Sequence, residues 1–257
     1  MRINKYIASS GICSRRAAEQ LILDGKIKVN NKVVTDLATD INLDNDVVVY
    51  DGKKLKISKN YTYVMFYKPK GCVTTANDEN GRKTIYDYID ITDKRLFPVG
   101  RLDYNSEGLL LLTNDGDMAY KLTHPSNEIP KTYLVKIEGE LKESELNILR
   151  NGVELDGVMT KRAKVKLKEY SNGISSFEMT IFEGKNRQIR RMFESIGKEV
   201  FFLKRIAIGE IRLGGLSRGK TRFLNQKEID YLRKIWARAL FFYFKKFIVD
   251  YFICFII

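Results

Sequence analysis

The run Gly100-Arg101-Leu102-Asp103-Tyr104-Asn105-Ser106-Glu107-Gly108, followed by the apolar residues 109–112 and then Thr113-Asn114-Asp115-Gly116, decides how this chain is read. It sets Asp103 close to an arginine in a polar loop bounded by glycines, and the loop leads directly into a strand-like run that reads as buried. A loop at the edge of a rigid strand is a common place to hold a reactive side chain still. Taken locally, the same residues also fit a turn in which aspartate bonds its own backbone. The remainder of the chain has to decide between a reactive carboxylate and a turn former.

With 257 residues, the chain is long enough for one substantial core or for a small module plus a larger domain. Its 44% hydrophobic and 30% charged content is that of a soluble globular protein rather than a disordered one. A net charge of +13 points to a polyanionic partner, either nucleic acid or an acidic membrane surface. Residues 161–227 hold 17 basic and 6 acidic side chains and so carry +11 of that charge, the pattern expected of a footprint on phosphates.

Cysteine and histidine mainly exclude. Cys13, Cys72 and Cys254 are scattered, which argues against a disulfide framework and against zinc, and suits a reducing cytoplasm. The single histidine, His124, precedes Pro125 and reads as a loop residue, so no metal site is expected. No glycine-rich phosphate loop is found, and no nucleotide cofactor or other cofactor is expected. Residues 1–10 lack the apolar core of a signal peptide.

The N-terminal stretch instead reads as a compact module. Ile3, Tyr6 and Ile7 recur at helical spacing, Gly11 can end that helix, and Ser14 can cap a second helix running to Gly25. A hairpin is expected from 27–29 and 33–34 around Asn30-Asn31-Lys32, with a further strand over 47–50 and a turn at Asp51-Gly52. Through Asn4-Lys5-Tyr6-Ile7, Ser14-Arg15-Arg16-Ala17 and Val29-Asn30 this region resembles the RNA-binding domain first described in ribosomal protein S-four. Arg2, Lys5, Arg15, Arg16 and Lys28 are the phosphate contacts that the resemblance implies. Residues 55–61 read as a linker.

Residues 63–67 form a strand-like run that stops at Lys68-Pro69-Lys70-Gly71, because proline cannot donate to a ladder. Thr84 can cap a short helix, Asp117 can start another, and residues 131–137 alternate like a strand. Ile189, Met192, Phe193 and Ile196 bury one face of a helix that ends at Gly197 and carries Arg187, Arg190 and Arg191 on its other faces.

Four segments, the Lys68-Pro69-Lys70-Gly71 turn, the Asp103 loop, Lys131-Thr132-Tyr133 and Glu183-Gly184-Lys185-Asn186-Arg187-Gln188-Ile189-Arg190-Arg191-Met192, together resemble the motifs of the pseudouridine synthases. The match is to the RsuA and RluB branch and covers nearly everything up to Asn225, with an RluB-like lean towards large-subunit ribosomal RNA. It implies an α+β chain: an S-four-type domain over 1–60, then a catalytic domain with a mixed, largely antiparallel sheet over 61–234. It further implies that Asp103 is the nucleophile, that Tyr133 stacks on the base and serves proton transfer, and that Arg190 forms a bidentate pair that directs Asp103. Lys68, Arg101, Lys185, Arg187 and Arg191 are the RNA contacts expected on the catalytic domain. Ribosomal RNA is the expected partner, with the same reaction on small-subunit RNA as the runner-up. A monomer without an obligate protein partner is the simplest expectation.

Two readings from other classes compete: a non-catalytic ribosome-assembly factor with the same RNA grip, and a peripheral membrane protein. The second draws on the apolar, aromatic residues 235–257, where Lys245, Lys246 and Asp250 interrupt any membrane-spanning run. No role is assigned to that extension.

Overall fold

The computed structural model describes residues 1–57, 60–90 and 95–237. Residues 58 and 59 of the expected linker and 238–257 of the apolar extension therefore lie outside the described residues. Two compact units are present among the described residues: 1–57 and 60–62 with 95–97 and 113–116, and 63–90 with 98–112 and 117–237.

In the first unit α1 (Ile3–Ser9) and α2 (Arg15–Leu23) flank Gly11, whose φ of +90° suits glycine. The Ser14 hydroxyl accepts the Ala17 N–H at 3.1 Å, an N-cap that satisfies one free donor of α2. Ile3, Ile7, Ala18, Ile22, Ile27 and Val48 are fully buried between the helices and a sheet ordered β2-β1-β3-β4. These strands are β1 (Ile27–Val29), β2 (Lys32–Val33), β3 (Val48–Tyr50) and β4 (Lys53–Lys54). Asn30 and Asn31 both have positive φ, 49° and 67°, so the turn takes two residues and Lys32 pairs with Val29. The strand thus begins one residue earlier than the sequence suggests. Asp51 and Gly52, also at positive φ, close a second hairpin onto β4, a strand that the pattern of Lys53 and Lys54 does not announce. Leu55 is buried in this core and its carbonyl accepts the Tyr6 hydroxyl at 3.0 Å, so the module runs past the start of the expected linker.

The second unit is built on one large sheet. Its chain order is β5 (Tyr63–Lys68), a 3-10 turn at Ile85–Tyr88, β6 (Phe97–Pro98), β7 (Glu107–Thr113), α3 (Gly116–Thr123) and β8 (Lys131–Glu138). Next come α4 (Glu143–Asn151), the hairpin β9 (Glu154–Leu155) and β10 (Val158–Met159), then β11 (Lys164–Ser171) and β12 (Ile174–Ile181). Finally α5 (Gln188–Glu194), β13 (Val200–Ile208), β14 (Ile211–Arg212) and β15 (Thr221–Phe223) precede a helical stretch over 226–237. The main strand path is β11-β12-β8-β13-β7-β5-β15, with β6 and β14 off it. β7 and β13 run parallel, while β11, β12, β8 and β13 pair antiparallel in sequence along the sheet. All seven residues of β7 are buried, as a central strand covered on both faces requires.

Gly108 makes the parallel pair feasible. It has φ +110°, and a Cβ there would lie 2.2 Å from the Arg205 carbonyl oxygen, so only glycine lets β7 and β13 approach so closely. Among the described residues no helix is long and apolar enough to cross a membrane.

Candidate active site

Strand register collects the site. Tyr133 on β8 is the cross-strand partner of Met179 on β12 and of Arg205 on β13, while Lys131 is the partner of Ile181 and Ile208. Directly paired residues share a sheet face, so Lys131, Tyr133, Ile181, Arg205 and Ile208 all face one side. There they line a cavity of about 300 Å³ together with Asp103, Arg101, Leu203, Arg187 and α3's Leu122. Asp103 and Tyr133, named from the sequence, thus meet in one cavity, and Leu203 and Ile208 of β13 give it an apolar lining.

The loop carrying Asp103 is fixed through its main chain. Five consecutive carbonyls each have a donor: Leu102 from the Thr74 hydroxyl at 2.8 Å, Asp103 from Lys68 and from the Ser106 N–H at 3.0 Å each, Tyr104 from the Gly71 N–H at 2.9 Å, Asn105 from Arg190 at 2.8 Å, and Ser106 from Lys68 at 3.0 Å. Among the described residues the Asp103 carboxylate accepts no hydrogen bond. The loop is held along its main chain while the Asp103 carboxylate is left free of hydrogen bonds, an arrangement that a preorganised nucleophile would require.

Two expectations change here. Lys68, expected to contact RNA, is instead 0% exposed, and its ammonium donates to the carbonyls of Pro69, Asp103 and Ser106. Burial pushes its pKa below the usual lysine range, although Cys72 and Asp103 nearby act the other way. The signal was present, since Lys68 ends the apolar run 63–67 and a central strand buried on both faces carries its last residue inside as well. Arg190, the expected bidentate partner of Asp103, bonds backbone instead, to Asn105 and to the Val200 carbonyl, and does not line the cavity. Its pKa is lowered, first by burial and then by Arg187, while Asp103 acts the other way. Arg190 holds the loop through the Asn105 carbonyl.

A different cation faces the cavity. Arg205 is 3% exposed, its Nε donates to the Leu109 carbonyl at 2.7 Å, and its Nη2 is buried with no partner among the described residues. An unpaired guanidinium nitrogen on a residue lining the same cavity as Asp103 is a natural complement of negative charge in this space. Arg205 lies within the basic stretch 161–227, whose charge pattern does not single it out.

Residues 62–195 match the RNA pseudouridylate synthase family model, and residues 1–48 match the S4 domain. The chain is 43% identical to ribosomal large subunit pseudouridine synthase B of Bacillus subtilis, covering 91% of this chain and 96% of the relative. The chain belongs to the RNA pseudouridylate synthase family. A pseudouridine synthase of Aquifex aeolicus is 42% identical over 91% of this chain and 94% of its own. The crystal structure of a pseudouridylate synthase superposes with a TM-score of 0.65 at 32% identity, covering 90% of this chain and 99% of that one.

At the start of β7 this pseudouridine synthase buries Glu107, which accepts the Tyr67 hydroxyl at 2.6 Å and pairs with Arg218 at 2.9 Å. Lys131, whose Nζ donates to the Ile129 carbonyl at 3.1 Å, is lowered to about 8, first by burial and then by Arg205.

The expected RNA contacts of the synthase fall into different settings. Arg101 and Arg187 are exposed and line the cavity. Lys185 also lines it, with its ammonium on the carbonyls of Val158 and Met159. Arg191 is engaged in a two-point pair with Asp156 at 2.6 and 2.8 Å. On the S-four-type module Arg15, Arg16 and Lys28 are exposed, Arg2 pairs with Asp40 at 3.4 Å, and Lys5 is half-buried. Among the described residues no group of histidine, cysteine, aspartate and glutamate could hold a metal ion.

Proposed function

We propose that the chain isomerises a specific uridine of large-subunit ribosomal RNA, with Asp103 as the nucleophile acting on a base turned out of its stack. The observation that carries this reading is the Asp103 carboxylate, free of hydrogen bonds, in a cavity shared with Tyr133 and Arg205, on a loop whose carbonyls from Leu102 to Ser106 each accept a hydrogen bond. Isomerisation breaks the bond from ribose to N1 and remakes it to C5, so neither a redox partner nor a group donor is required. Attack on the ring or on the ribose carbon makes the same demand, an ionised carboxylate held in one direction. Arg205 opposes its charge, Tyr133 packs on the uracil, and Leu203, Ile181 and Ile208 exclude water around it. Extruding the base costs roughly a few kcal/mol, which basic contacts from residues 1–60 and from the catalytic residues 61–234 supply.

The large subunit is favoured because a synthase named for that subunit aligns along nearly the whole chain. Incubating the chain and its Asp103→Asn variant with unmodified transcripts of both subunits, then mapping pseudouridine at single-nucleotide resolution, tests all of this. One new large-subunit site made only by the unaltered chain is the expected result. A site on the small-subunit transcript alone would transfer the activity there, and no site on either, with binding unaffected in both proteins, would leave an assembly factor as the function.

A further inference from the structure

The opposite face of the same sheet carries a second basic surface. Lys164 on β11 pairs with Thr180 on β12, and Lys166 pairs with Glu178. These residues point away from Val165, Met179 and Ile181, hence away from the catalytic cavity. Lys164, Lys166 and Lys168 are all exposed, the last at the irregularity between Leu167 and Glu169. At the start of the strand, Arg162, Lys164, Val165 and Arg150 line a shallow groove with Phe182, whose ring lies 6.0 Å from the Lys164 ammonium. No acidic side chain lines that groove. Glu143 lies 2.5 Å from Arg150, while Glu178 and Glu169 are the acidic neighbours along the two strands.

We infer that the outer edge of β11, from Arg162 to Lys168, is a docking track for the phosphate backbone of the substrate RNA outside the target nucleotide, with Phe182 offering a ring at its end. The inference rests on the reading of the chain as a ribosomal RNA synthase. Lysines on an edge strand also guard against strand pairing between molecules, and that role predicts something different. A guard has no reason to continue into a groove lined by two arginines and an aromatic ring. A phosphate track does, because backbone contacts need spaced positive charge without base reading.

The test is the triple variant Lys164→Gln, Lys166→Gln, Lys168→Gln in the full chain, with an unmodified large-subunit ribosomal RNA transcript as probe. Binding is measured between about 50 and 200 mM salt, and single-turnover pseudouridine formation at saturating RNA. Losing three phosphate contacts makes the slope of log affinity against log salt shallower by about 2 to 3. Modification at saturation stays as in the unaltered chain, and the corresponding Lys→Arg triple variant recovers the slope. An unchanged slope, alone or together with new self-association in light scattering, overturns the track and leaves the lysines as edge guards. If the unaltered chain itself neither binds nor modifies the transcript, the ribosomal reading fails and takes this inference with it.

Discussion

Replacing Lys68 by methionine keeps the length of the buried side chain and removes its charge and its donors. In the native chain those donors serve the carbonyls of Pro69, Asp103 and Ser106 at 3.0–3.1 Å. After the change Asp103 O keeps the Ser106 N–H at 3.0 Å, and Pro69 O keeps only the weak Cys72 thiol at 3.5 Å. Ser106 O loses its ammonium donor inside the protein. An orphaned buried carbonyl costs about 1–3 kcal/mol, and the two weakened ones add about 1 kcal/mol together. Relief from burying an ammonium offsets part of this, so a net loss of about 2 kcal/mol is expected in urea unfolding. Catalysis should suffer more than stability, because a shift of the Asp103 loop by an ångström costs about a hundredfold in rate. Single-turnover pseudouridine formation, measured where the variant is still folded, reads that loss. A rate within about threefold of the original, a change of only about 0.6 kcal/mol in the barrier, would refute the claim that Lys68 holds the loop for chemistry.

Two further outcomes are expected. Gly108→Ala must place a Cβ 2.2 Å from the Arg205 carbonyl at a φ of +110°, which should destabilise the chain by about 3 kcal/mol or more; a denaturation midpoint unchanged from the original would show that β7 and β13 can separate at little cost. Lys131, lowered to about 8, should lose its charge as pH rises through that value, so modification at subsaturating RNA should fall above it, and Lys131→Met should abolish that limb. On stability the sign is opposite: the folded chain binds fewer protons than the unfolded one between about 8 and the usual lysine value, so this group's contribution grows as pH rises through that window.

Local chemistry made much of the architecture legible. Ser14 caps α2, the paired asparagines close β1 onto β2, and the glycine-bounded run before the leucines places Asp103 at the entry of a buried strand. Each signal acts within a few residues. What escaped the sequence depends on partners far along the chain. Lys68 looks like an ordinary turn residue until it meets carbonyls 35 and 38 positions away, and Arg190 finds main chain 85 residues distant rather than the carboxylate. Arg205 lies in a run of alternating character, and only its register opposite Tyr133 turns it towards the cavity. The edge strand β11 was concealed by its own lysines, which read as charge before they read as a strand.

Anchoring the Asp103 loop through its carbonyls also shapes what change this enzyme can tolerate over generations. Backbone oxygens are supplied by every residue type, so the exposed side chains of Tyr104 and Asn105 are not what holds the aspartate in place. Substitutions there can remodel what the loop presents to RNA while Asp103 stays where it is. A new target nucleotide could then be acquired by drift at these two positions without first dismantling the chemistry.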